Sequence, residues 1–135
     1  MCIEDFCNCL KWAEKIGGIS ALIKRVEANY AVARKWISQQ KVFRFLVDEK
    51  FRAHHIICLD LVSEKYQALS GKEKWDFLKR ITTECAAAKI GFDILGHILT
   101  KPHLRIWAGP TIEAENLERL FEKLVPLTED LLKTL

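Results

Sequence analysis

Apolar residues recur three and four positions apart at Ile3, Phe6, Cys7, Leu10 and Ala13, which predicts an amphipathic helix over residues 3–16. Gly17-Gly18 stops it, as glycine does at helix C-termini. The spacing resumes at Leu22, Ile23, Val26, Tyr30, Ala33, Trp36 and Ile37, so a second helix is expected to about Gln39. From Val42 the period changes. Residues 42–47 are rich in β-branched and aromatic types and read as a short strand, with Asp48-Glu49-Lys50 as a turn. Residues 54–62 form a near-continuous apolar run and read as the central strand. Residues 63–73 are a polar connection, followed by a helix from Trp75 to about Lys89 with Trp75, Leu78, Ile81 and Cys85 on one face. Gly91 ends that helix, residues 92–95 read as a further strand, and residues 96–102 as a loop.

The last strand alternates cleanly. His103, Arg105 and Trp107 share one face, and Leu104, Ile106 and Ala108 share the other. The final helix is expected to start at Thr111 as N-cap, with Glu113 and Glu115 near its positive end. Leu117, Leu120, Phe121 and Leu124 make its inner face, and Pro126 predicts a kink or restart before Leu127, Leu131 and Leu132. Helices at both ends and a small sheet with one helix inserted imply an α+β fold. Helices cover one face of a small, mostly antiparallel sheet, in a single domain over 1–135.

Composition narrows the function classes. The 135 residues are 50% hydrophobic and 29% charged, and 21 basic against 18 acidic residues give a net charge of +3. That balance, without a basic stripe interleaved with aromatics, argues against nucleic acid. No apolar run approaches the length of a membrane span. Five cysteines and no secretory leader point to a reducing, cytoplasmic setting. The spacing of Cys2, Cys7 and Cys9 is not that of a zinc site, and no metal is expected. Cys58 and Cys85 fall in apolar patterns and read as small core residues. Adjacent His54 and His55 face opposite ways, so one is expected at the surface. No glycine-rich phosphate loop is present, and Ser38-Gln39-Gln40-Lys41 reads as a solvated helix end.

Arg105 is the candidate binding residue. A charge set in an apolar strand calls for a partner, because an unpaired buried charge is costly. A planar guanidinium grips a carboxylate with two parallel hydrogen bonds. The alternatives are a structural ion pair or an edge position open to water. His97 and His103 flank the preceding loop and could complete a cluster with Arg105. No catalytic residue is assigned.

Three stretches give a family resemblance. They are Cys2-Ile3-Glu4-Asp5 with Leu10-Lys11-Trp12-Ala13 and Ile16-Gly17-Gly18; Arg52 through Cys58-Leu59; and Leu104-Arg105-Ile106-Trp107-Ala108-Gly109-Pro110-Thr111-Ile112-Glu113. Together they resemble the C-terminal portion of the phosphoserine aminotransferases, class V members of the fold-type I pyridoxal phosphate enzymes. The resemblance implies that residues 1–16 are the helix leading from a large domain and residues 17–135 the small C-terminal domain. It implies that Arg105 binds a substrate α-carboxylate and that His97 lies near the substrate phosphate. Where the family has a His-Arg or Tyr-Arg pair, this chain has His97-Ile98, without the arginine. The cofactor-holding large domain has no counterpart here. The expectation is therefore a fragment inactive by itself, binding no pyridoxal phosphate alone and partnered by the large domain or a homodimer mate. In the whole enzyme the substrates would be glutamate and 3-phosphohydroxypyruvate, in serine biosynthesis. A stand-alone α+β interaction or small-ligand-binding module is the competing expectation. Phe6, Leu10 and Trp12 are expected to lose cover without the large domain, which would favour self-association.

Overall fold

The first break in periodicity becomes a corner. In the computed structural model, which describes residues 2–135, α1 (Cys2–Lys15) meets α2 (Gly18–Gln39) at two glycines with φ of 111° and 69°. Both angles lie in the left-handed region that only glycine adopts cheaply, so Gly17-Gly18 turns the chain without strain. No described side chain of α1 is buried, whereas α2 buries Asn29, Tyr30 and Ala33.

The sheet has three antiparallel strands in sequence order: β1 (Phe43–Phe45), β2 (Ile56–Leu61) and β3 (Leu104–Trp107). The apolar run does form the central strand, trimmed at both ends, and His54-His55 lie in the turn before it. Phe43 pairs with Leu61 on one side of β2, and Cys58 pairs with Arg105 on the other. Period-two alternation sends Phe43, Ile57, Leu59, Leu61, Leu104 and Ile106 into the core. There they meet Tyr30 and Ala33 of α2, Phe77, Leu78, Ile81 and Cys85 of α4 (Gly71–Ala87), and Leu117, Leu120, Phe121 and Leu124 of α5 (Ala114–Leu132). The result is a two-layer α+β sandwich, as expected. The outer face of the sheet carries Ile56, Cys58, Arg105 and Trp107.

Four local expectations are corrected. The polar connection after β2 contains a short helix, α3 (Glu64–Gln67). Its Gln67 Nε2 donates to both carboxylate oxygens of buried Asp60 at 3.2 Å, beside Arg44, whose guanidinium reaches the same group at 2.6 Å. Helix α4 starts at Gly71, four residues earlier than the apolar spacing implied. Ser70 and Glu73 close a reciprocal capping box there, which satisfies the first free N–H groups. Residues 92–95 do not make a strand: Asp93 adopts φ 52°, which breaks the extended run, and only a Leu95–Leu104 bridge remains. Helix α5 starts at Ala114 with Glu113 as N-cap rather than Thr111, and it runs unbroken through Pro126. Pro126 is exposed, so the Glu122 carbonyl that loses its partner can turn to water.

Candidate functional site

Arg105 stands on the outer face of β3, where strand alternation puts it. Its backbone N–H donates to the Ile94 carbonyl at 2.8 Å, which holds the strand against residues 94–96. Among the described residues its guanidinium enters no ion pair, unlike Arg25, Arg34 and Arg44. It lines a recess of about 350 Å³ with Ile56, Asp93 and Trp107. A structural ion pair is therefore not what explains Arg105. Edge exposure is, and it leaves the guanidinium open to a ligand.

Trp107 walls the recess. It is 51% exposed and faces the His55 ring edge-on at 5.6 Å. Its Nε1–H lies 3.4 Å from the Thr111 hydroxyl. The indole lies over Gly109 so closely that a Cβ there would fall 2.2 Å from the ring. Glycine at 109 is thus a steric requirement of the Trp107 position.

Cys58 sits opposite Arg105 in the register and is only partly buried, a correction to its reading as a core residue. Burial pushes its thiol pKa up, and the Arg105 guanidinium partly offsets this. Cys85 is the core thiol, pushed up to about 11 by burial and by Glu84. Cys2, Cys7 and Cys9 are exposed on α1, and no group of three or more metal-binding side chains occurs among the described residues.

His97 and His103, which flank the loop before Arg105, take different surroundings. His103 is 7% exposed, and its Nδ1 lies 2.7 Å from the Lys101 carbonyl, sealed beneath the loop. His97 is exposed in that loop, where its Nδ1 accepts from Leu99 N–H at 3.3 Å. The backbone N–H of Gly96 donates to the His103 carbonyl at 2.9 Å, so His97 opens the loop at the end of β3 where His103 lies. His54 pairs with Glu27 at 2.8 Å and stacks on Tyr30 at 4.0 Å, while His55 is exposed.

Two residues on α2 went unread. Asn29 Nδ2 donates to the carbonyls of Ala108, Gly109 and Ile112 at 3.2, 3.1 and 3.0 Å. Arg25 Nε donates to the Pro110 carbonyl at 2.6 Å, and its terminal nitrogen pairs with Glu113. The signal was available: Asn29 falls four residues before Ala33 on the buried face of an amphipathic helix. A polar residue there must have partners.

A larger cavity lies elsewhere, as an open groove of about 580 Å³ between α2 and α5. Trp36 and Phe121, stacked at 4.2 Å, form its floor, and Lys35, Glu118 and Glu122 lie among its lining residues.

No protein-family model matches the chain. It is 35% identical to a phosphoserine aminotransferase of Methanosarcina mazei over 122 residues and 33% identical to that of Methanosarcina barkeri. Each match covers 88% of this chain but 30% of the relative. The chain therefore spans about a third of the length of the curated relatives it matches. Among solved structures, the phosphoserine aminotransferase of Bacillus circulans subsp. alkalophilus superposes with a TM-score of 0.64 at 24% identity. A phosphoserine aminotransferase studied for radiation damage of its Schiff base gives the same score at 17% identity. Each of these covers 89% of this chain and 30% of the solved one, and at these identities they speak to the fold.

Proposed function

We propose that this chain, which corresponds to one region of phosphoserine aminotransferases, acts as their C-terminal small domain and supplies the carboxylate-binding side of a transamination site. Arg105 is the residue that grips the substrate carboxylate. The observation that carries this reading is the state of Arg105: a guanidinium on the sheet's outer face that enters no ion pair among the described residues, beside a recess lined by Trp107, Ile56 and Asp93. Its ring of donors can take both carboxylate oxygens at once. Ile56 and the indole give the recess its apolar walls. His97 is the proposed contact for a phosphate at the far end of the substrate, reached across the loop.

Pyridoxal phosphate would supply the electron sink for amino-group transfer in the whole enzyme. The described residues do not suit it. It needs a sheltered amine and a cradle of donors for its phosphate. Every lysine is exposed except Lys74, which lies along the Tyr66 ring at 5.6 Å. The groove between α2 and α5 carries Glu118 and Glu122, which repel a phosphate, and no helix N-terminus lines it. The cofactor is therefore assigned to a separate large domain. The unburied apolar side chains of α1, Ile3, Phe6 and Leu10, supply the surface on which that domain would rest. Amino-group transfer from glutamate to 3-phosphohydroxypyruvate, in the cytoplasm, is the reaction proposed for the assembled enzyme. Among the described residues, no helix is long and apolar enough to cross a membrane.

A chimera tests the proposal. Replacing the matching third of the Methanosarcina mazei relative with this chain should retain transamination. Arg105→Gln in that chimera should lower kcat/KM by about 10- to 100-fold, the worth of one charge-assisted pair. A chimera that folds and transaminates equally well with Gln at 105 would refute the assignment.

A further inference from the structure

The turn that follows β3 closes one hydrogen bond of its own, Ile112 N–H to the Gly109 carbonyl at 3.1 Å, and takes the rest of its support from α2. The carbonyls of Ala108, Gly109, Pro110 and Ile112 all accept hydrogen bonds from two α2 side chains, Asn29 and Arg25, one helical turn apart. Asn29 is 1% exposed, so water cannot replace it. Its amide has two hydrogens for three acceptors, and at least one hydrogen is shared. These bonds hold the Gly109 peptide where the Trp107 indole lies against its Cα. A Cβ at 109 would fall 2.2 Å from one ring carbon and 2.4 Å from another. Trp107 in turn walls the recess that Arg105 lines.

We propose that Asn29, with Arg25, is a positioning residue for the Arg105 recess: it fixes the Gly109 turn, the turn seats Trp107, and Trp107 sets the width of the carboxylate pocket. This rests on the reading of Arg105 as a carboxylate grip. The consequence is a mechanical link between α2 and the ligand pocket on the other side of the sheet. A shift of α2 along its axis pulls the turn, and the indole follows.

The test uses the full chain labelled with nitrogen-15. The Trp107 indole N–H resonance is assigned by its loss in Trp107→Phe. Glutarate, a plain dicarboxylate, is the probe for the recess. Asn29→Ala should displace the Trp107 resonance and weaken glutarate binding about tenfold, the loss expected when one hydrogen bond's worth of pocket order is removed. Arg25→Ala should do the same to a smaller degree. Leu124→Ala, a core variant far from the turn, should lower the melting temperature without moving either readout. A folded Asn29→Ala chain with an unmoved indole resonance and unchanged affinity would overturn the proposal, as would equal effects from Leu124→Ala. If Asn29→Ala does not fold, Arg25→Ala decides by the same two readouts. If the wild-type chain binds no glutarate, the reading of Arg105 fails; the indole displacement then still decides whether Asn29 seats Trp107.

Discussion

Arg105 was legible because one charge in an alternating apolar strand has few explanations, and the strand alternation placed it correctly. Its surroundings were less legible. His103 shares its strand face by parity, yet the loop from Gly96 folds over it and buries it. Parity describes a strand and says nothing about the loop that covers its end. Asn29 was passed over because its apolar neighbours dominated the pattern, although its buried position demanded partners. Two cysteines in apolar patterns separate: Cys85 on α4 faces the core, while Cys58 on β2 faces outward opposite Arg105. This predicts an order of alkylation by iodoacetamide, read by peptide mass mapping. Cys2, Cys7 and Cys9 react first, Cys58 slowly, and Cys85 only on unfolding. The Cys58 rate profile should move to higher pH in Arg105→Gln, because the guanidinium opposes the upward shift that burial imposes. A profile that moves to lower pH would contradict the placement. Cys85 also gives a stability prediction. Its folded pKa of about 11 lies above the unfolded value, so the neutral thiol's contribution is whole below about pH 8.5 and is lost as pH rises toward 11. The melting temperature should fall across that window, and Cys85→Ala should flatten the fall.

At the scale of elements, the long helices were read within a residue or two wherever apolar spacing was sustained, as in α1 and α2. Errors fell where hydrogen bonds rather than burial set the boundary. The start of α4 depends on the capping box of Ser70 and Glu73, a polar signature that apolar counting skips. Ser70→Ala should cost about 1 kcal/mol by chemical denaturation. The start of α5 was misplaced because the turn before it is held by Asn29 and Arg25, which are distant in sequence. Short helix α3 exists to bring Gln67 to Asp60, again a tertiary demand. Within α5, Leu124 is fully buried between the layers, and Leu124→Ala should destabilise by ~2–5 kcal/mol. A loss below about 1 kcal/mol would mean that the helix does not pack on the sheet as described.

The whole molecule is a two-layer core with its first helix left uncovered, since no described side chain of α1 is buried. Ile3 is 79% exposed, Phe6 63% and Leu10 49%, an apolar row of the kind that marks an interface. The isolated chain should associate with rising concentration in sedimentation velocity, and Phe6→Lys with Leu10→Lys should return it to a monomer. A wild-type monomer at every concentration would remove the argument that α1 meets a partner. The two layers and the central place of β2 follow from the hydrophobic pattern.

The carboxylate-binding role of Arg105 is open to a direct titration. Glutarate is added to the wild-type chain and to Arg105→Gln while the Arg105 Nε–H and Trp107 indole resonances are followed. If Arg105 grips the carboxylate, both resonances shift saturably in the wild type, and the Trp107 shift is lost in the variant while the rest of the spectrum stays folded. Equal indole shifts in the two chains, or no shift at either residue in the wild type, would contradict that role.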